Sequence, residues 1–292
     1  MRASLGLASL CAIAIALATT ARGDLIIDTG SPDGLMAMAS RPGPATGANQ
    51  ETEAADDFIT TIPRTLTQAT FTGLLPAGVN PNTDIAQVVV EIYRVFPKDS
   101  DTTRTPNVVT RANSPSDVEF DDRNSASGNL TFTTTLLNTS FRAGNSVDTG
   151  IHPAPNQTTM GEGPVTGQEV QFNVTFTKPF LLPGDHYFFV PQVLLSNANN
   201  HFLWLSAPKP ITGGTGPFVG DLQTWIRNDQ LQPDWSRVGT DIVGGAPAPQ
   251  FNASFSVTAL AVVPEPSSLA LCGILALAGL GGTWLQRKRM TA

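Results

Sequence analysis

Cysteine is nearly missing from this chain: only Cys11 and Cys272 carry a thiol, and both fall inside apolar end segments. The long middle, residues 24–263, has none. Disulfide staples are therefore excluded there, and about 240 residues must be held by buried apolar surface, a length sufficient for one large core. Histidine is as sparse. His152, His186 and His201 include no pair at i, i+4 spacing and have no cysteine partner, which removes support for a zinc centre of the usual type.

Charge is low and one-sided. Five of the 17 basic residues and one of the 24 acids lie in the two ends, so the middle carries 12 against 23, a net charge of −11. Such a surface repels anionic polymers and argues against DNA or RNA as a partner, while it favours solubility outside the cell. The chain also lacks a Gly-x-Ser-x-Gly elbow, a Gly-x-x-x-x-Gly-Lys-Ser/Thr loop and a His-Glu-x-x-His pair, so hydrolase and phosphate-binding readings lose their motif support. A glycosidase needs only two carboxylates, and Asp56-Asp57, Glu91, Asp121-Asp122 and Asp234 offer candidates. With this many acids, pairing by chance is unavoidable. The expectation is a non-enzymatic protein that needs no cofactor.

What the chain does have is legible first at its ends. Arg2, the apolar run Leu5 to Ala18 and small residues to Gly23 have the order of a secretory signal peptide, residues 1–23. At the other end, Ser267 to Leu285 contains no charge and is long enough as a helix to cross a hydrocarbon core of about 30 Å. Helix is the state that pairs every backbone group of a lone segment in lipid. Trp284 stands at the interface position, and Arg287, Lys288 and Arg289 form a basic stop that prefers the cytoplasmic side. Pro264-Glu265-Pro266 directly precedes the span. Two prolines disfavour both helix and strand there and leave an extended, accessible hinge.

The combination Val263-Pro264-Glu265-Pro266-Ser267-Ser268, apolar helix, Arg287-Lys288-Arg289 resembles the PEP-CTERM protein-sorting signal of Gram-negative bacteria, a tail also catalogued as an ice-binding-protein C-terminal domain without implying ice binding. It covers about a tenth of the chain, and its parts occur in the right order at the right end. The resemblance implies cleavage at Pro264-Glu265-Pro266 by exosortase, a membrane cysteine transpeptidase, after signal peptidase has acted at the other end. It also implies a transient anchor in the inner membrane, followed by delivery to the cell surface or extracellular matrix.

The middle reads as β throughout. Gln171 to Thr177 alternates strictly, with Phe172, Val174 and Phe176 on one face, and Phe251 to Ala259 repeats the pattern as the expected closing strand. Further β-branched or aromatic runs appear at Asp57–Ile62, Leu66–Gly73, Ile85–Phe96, Asn129–Leu137, His186–Leu195, His201–Ser206 and Asp221–Arg227. Connectors rich in Gly, Pro, Asn and Asp separate them. The expectation is one all-β, antiparallel, jelly-roll-like β-sandwich ectodomain over 24–263, of roughly ten strands. Pro97–Asp117 and Ala143–Gly167 are too long for hairpin turns and read as surface excursions or mobile loops. Ala54-Ala55-Asp56-Asp57-Phe58, and Leu182-Pro183-Gly184-Asp185 followed by aromatic residues, resemble segments of β-sandwich modules in secreted bacterial proteins, a likeness that speaks to fold alone.

Two candidate sites remain. Asp99, Asp101, Asp121 and Asp122 concentrate the hard oxygen ligands a structural Ca²⁺ prefers, though the EF-hand order fails and a solvated acidic loop is the favoured reading. Trp225 and Trp235, with Asp221, would make a glycan platform in which rings stack on sugar faces and the carboxylate takes a hydroxyl. Core packing is the other reading of these tryptophans. The function expected is therefore a structural component of the surface or matrix, with a carbohydrate-binding module for extracellular polysaccharide as the alternative.

Overall fold

The computed structural model describes residues 23–43 and 51–261, apart from Pro153, Ala198, Phe218 and Val219. The expected signal peptide, except Gly23, and the expected sorting tail lie outside the described residues. No helix among the described residues is long and apolar enough to cross a membrane.

The described chain is all-β and sandwich-like, with two sheets. The nine-stranded sheet runs β1 (Asp24–Asp28), β15 (Phe255–Ala261), β4 (Arg64–Leu75), β11 (Leu203–Ala207), β2 (Met36–Ala39), β8 (Asn145–Val147). Off this path, β14 (Asn252–Ala253) pairs with β11, while β9 (Val165–Leu182) pairs with both β4 and β7 (Thr131–Ala143). The six-stranded sheet runs β13 (Ser236–Arg237), β12 (Trp225–Asn228), β3 (Thr52–Thr60), β10 (Asp185–Leu195), β5 (Ile85–Arg94), β6 (Asp121–Asn124). β2 and β8 run parallel, so the larger sheet is mixed.

Strand period decides the core. In β9, Phe172, Val174 and Phe176 are buried, whereas Thr175 and Thr177 are exposed, as strict alternation requires. Phe71 of β4 stacks on Phe172 at 4.8 Å between centroids and meets Phe202 edge-on at 5.8 Å. From the opposite sheet, Phe189 of β10 stacks on Phe255 of β15 at 5.3 Å and lies edge-on to Trp204 at 6.2 Å. These rings join the sheets. Gly73 is obligatory among them, because a Cβ there would run into the Phe202 ring and the Leu203 carbonyl.

Three expectations change. The described strands number fifteen rather than ten, because short pairings such as β8, β13 and β14 carry little pattern of their own. The closing strand breaks at Ser254: Asn252 and Ala253 pair with β11, while Phe255 onward leads into the pairing with β1. At the break the Ser254 carbonyl accepts from Thr72 N at 3.1 Å and Trp204 Nε1 at 2.9 Å. The long polar segments are also tied down. Asp234, fully buried, accepts from both terminal guanidinium nitrogens of Arg104 at 2.6 and 2.9 Å and from Asn107 N at 2.7 Å. Glu162 accepts from the backbone N of Asp148, Thr149 and Gly150 at 2.6–2.9 Å.

Phe71→Ala should cost ~3–5 kcal/mol, since its ring packs against Phe172, Phe202 and Phe189 at once and the site is too enclosed to collapse freely. Urea unfolding should show a lower midpoint with an unchanged slope.

Candidate functional site

The outer face of the six-stranded sheet would ordinarily meet water. Here the 95–120 and 229–238 segments cover it, and the covered space holds Ala55, Tyr93, Phe188, Val190, Trp225 and Trp235 as a second cluster. This overturns the glycan platform. Trp225 and Trp235 are only 2% and 1% exposed. Trp235 stands edge-on to Tyr93 at 5.3 Å and donates Nε1–H to the Ser116 carbonyl at 3.1 Å, so its ring supports the overlying segment and offers no face to a sugar. Asp221 is part of the same interior: Lys209 Nζ lies 3.2 Å from its Oδ1 and donates to the Leu222 carbonyl at 2.7 Å.

Covering that face also buries charge. Glu53 of β3 and Arg227 of β12 are directly opposite in register, and neither reaches solvent to more than a few per cent. Arg227 donates Nε–H and Nη2–H to the Glu53 carboxylate, the second at 2.9 Å, and another Nη2–H to Tyr93 Oη at 2.7 Å. Gln232 Nε2 adds a donor to Glu53 Oε2 at 3.3 Å. The guanidinium carbon lies 4.2 Å from the Trp235 ring centroid, a cation–π contact in a dry site. Tyr93 Oη is 2.8 Å from Glu53 Oε1 and 3.1 Å from Glu91 Oε2, so one phenol bridges two carboxyl groups. Burial pushes Glu53 up, but the charge and hydrogen bonds of Arg227 outweigh it and hold the carboxyl below its usual range. Glu91 is pushed well above its range by burial and then by the Glu53 charge. The two acids are thus driven in opposite directions, as two carboxyl groups around one cation require.

A second cluster lies at the other end of the same strand. Asp57 Oδ2 is 2.6 Å from His186 Nε2, and its Oδ1 accepts from Leu222 N at 2.8 Å. Asp56 points the other way, between the sheets, where Oδ2 accepts from Ala253 N of β14 at 2.7 Å and so links the two sheets. Its Oδ1 and Asn252 Oδ1 are buried without a protein hydrogen-bond partner. Burial, then the Asp57 charge, push Asp56 well above the usual range, and a protonated Asp56 supplies the donor that an ionised one would lack.

The calcium site does not form as expected. Asp99 takes Arg94 through two donors. Asp121 takes both terminal nitrogens of Arg123 at 2.7 and 2.8 Å, and Asp101 is bonded by Thr103. Asp122 is exposed on the short edge strand β6. No group of three or more His, Cys, Asp or Glu among the described residues is placed to hold a metal. Arginines took the carboxylates instead, a partnership that sequence spacing does not display. Of the other histidines, His201 Nδ1 lies 2.7 Å from Asp148 Oδ1.

Outside these clusters, the nine-stranded sheet presents an open cleft of about 330 Å³ lined by Asp28, Ser31, Thr70, Gln171, Ser256 and their neighbours. Thr133, Asn173, Thr70 and Ser256 stand abreast on this face: Asn173 is in register with both Thr133 and Thr70, and Thr70 Oγ1 lies 2.7 Å from Ser256 Oγ. Hydroxyls and amides dominate, and none of the lining residues is a cation. Sequence reasoning did not single it out, although the alternate Thr, Asn and Gln of β4, β7 and β9 were its signal. The sorting residues Pro264, Glu265 and Pro266 and the stop Arg287, Lys288 and Arg289 lie outside the described residues. Comparisons with protein-family models, curated proteins and solved structures find no match to this chain.

Two outcomes follow from the clusters. Arg227→Met removes the cation that holds Glu53 ionised, so the buried carboxyl either stays charged without its ion pair or takes up a proton, at a cost of about 3–5 kcal/mol in urea unfolding, and adding Glu53→Gln should recover part of it. Asp56 gives a pH signature. Its folded value is raised above the unfolded one of about 4, so its stabilising contribution is full below that pH and lost as pH rises towards the folded value. Asp56→Asn should remove that slope, and its stability relative to the native chain should increase with pH from 4 to 8.

Proposed function

We propose that this chain is an exported, non-enzymatic structural protein of the cell surface or extracellular matrix, delivered by an N-terminal signal peptide and processed through its C-terminal tail. The observation that carries this reading is the order Pro264-Glu265-Pro266, uncharged run to Leu285, Arg287-Lys288-Arg289. In this reading signal peptidase and exosortase are its partners in export, and the inner membrane holds it between the two cleavages. The β-sandwich body, read more finely as jelly-roll-like, is the cargo.

The character of the buried charge supports a structural cargo. Every oxygen of Glu53 and of Asp57 is committed to a protein donor or to His186, and a fully satisfied buried network of this kind makes the fold rigid and specific. The net charge of −11 in the middle of the chain disfavours nucleic acid as a partner. Contact with neutral extracellular polysaccharide is assigned, within the same reading, to the hydroxyl- and amide-lined cleft of the larger sheet and not to the tryptophans.

Substituting Pro264 and Glu265 together by Ala in the producing bacterium should block processing. The exported protein should retain residues 264–292 by intact mass and stay in the membrane fraction, whereas the native chain should lose them and reach the surface. Equal processing of both chains would refute recognition at this triplet.

A further inference from the structure

The edges of the two sheets are unequal in a way that points to a partner. β6 and β13 are four and two residues long and carry Asp121, Asp122, Arg123 and Arg237. β8 has three residues. β1 is longer, but the 213–216 segment covers its free side: Asp28 N donates to the Gly213 carbonyl at 2.9 Å, while Thr215 N and Gly216 N donate to the carbonyls of Leu25 and Ile26 at 3.0 and 3.1 Å. Short length, charge and cover are the usual protections of a sheet edge against another chain.

β7 has none of them over its first half. From Thr131↔Thr175 to Leu136↔Val170 it runs against β9 in unbroken register, and the bulges come only after Leu136. Among the described residues the ladder to β9 accounts for the backbone pairing of Thr131–Leu136, and the 81–82 turn touches this stretch through a side chain, Thr134 Oγ1 donating to the Pro81 carbonyl at 3.1 Å. No charged residue and no proline occurs from Asn124 through Phe141, in a chain otherwise rich in acids. Leu136 and Leu137 are 44% and 49% exposed at the end of this stretch. Thr131-Phe132-Thr133-Thr134-Thr135-Leu136 is thus six residues of high β-propensity without Gly, Pro or charge, the composition that favours strand pairing.

We infer that Thr131–Leu136 is a self-association edge: two copies of this chain pair antiparallel through β7 about a twofold axis, joining their larger sheets into one. Charge selects the occupant. Two copies that each carry −11 between their ends repel wherever acids face one another, and this edge is a long strand on which no charge opposes the approach. A foreign peptide added to an edge is chosen by pockets for alternate side chains. The outward residues beside this edge, Thr133, Thr135 and Asn173, offer hydroxyls and an amide, and the cleft that Gln171 lines on the same face is open and polar rather than a set of apolar side-chain pockets. An isologous pairing needs only that the strand complement itself. The inference deepens the structural role proposed above and rests on it for its use in a matrix, but the association is measurable whether or not the tail is processed.

The test is sedimentation velocity of the full-length chain in mild detergent over a hundredfold concentration range, with hydrogen exchange on the same samples. Three proteins are compared: native, Thr133→Lys/Thr135→Lys on the edge, and Gln68→Lys on the same face two strands inward. All three substituted side chains are exposed. The native chain should dimerise with concentration, and amides within Thr131–Leu136 should become protected as it does. The edge variant should dimerise at least tenfold more weakly, and Gln68→Lys should match the native chain. A native chain that stays monomeric, an edge variant that dimerises normally, or equal loss in Gln68→Lys would each overturn the inference. Concentration-independent exchange at Thr131–Leu136 would overturn it without recourse to any variant.

Discussion

Three carboxyl groups on one central strand, Glu53, Asp56 and Asp57 of β3, are taken out of water, and much of the architecture follows from satisfying them. Glu53 and Asp57 project from the outer face of the six-stranded sheet and Asp56 from the inner one. A buried ionised carboxylate without partners is costly enough to unfold a domain of ordinary stability. Each has therefore been given donors from distant sequence: Arg227 and Gln232 for Glu53, His186 and Leu222 N for Asp57, Ala253 N for Asp56. At Asp56 and Glu91 burial works the other way and pushes the carboxyl groups well above their usual range.

That constraint explains why the molecule has more than two layers. A simple sandwich buries only the space between its sheets. Here the segment after β5 is drawn over the outside of the smaller sheet by Asp234, Ser116 and Trp235, and by Arg227 Nη1, which donates to the carbonyls of Asp117 and Pro233 at 3.3 and 3.4 Å. The covering segment dries the site, and a dry site strengthens the Glu53–Arg227 pair that the segment encloses. Cover and charge pair depend on each other.

The larger sheet takes the opposite course. Its outer face, across β15, β4, β9 and β7, remains open and carries threonines, serines and amides in register, with its polar character spent on solvent rather than on internal pairs. The chain therefore divides its labour by face: charge is locked inside one sheet, and a nearly uncharged polar surface with an open edge is shown by the other. On the structural role proposed above, the second face is the one available for contact.

Much of this was legible beforehand, and what was not has a common cause. The period-two alternation of Gln171–Thr177 named its buried residues correctly because one face of a strand is either in the core or out of it. Strand period and the Gly-, Pro-, Asn- and Asp-rich connectors likewise identified an all-β chain. The tryptophans and the acidic residues were misassigned for a different reason. Trp225 lies on the face opposite to the main core, and in sequence a face covered by loops reads the same as a face open to water. Asp99 and Asp121 stand close in sequence to Arg94 and Arg123, which claimed them, yet proximity alone does not say whether a carboxylate meets a guanidinium or an ion. Sequence by itself determined the strand-rich fold class and the core-facing residues of regular strands, both of which follow from local periodicity and hydropathy. Tertiary structure alone decided the third layer, the partners of the buried acids and the open edge of β7, because each depends on segments far apart in the chain meeting, and burial is a property of what covers a residue.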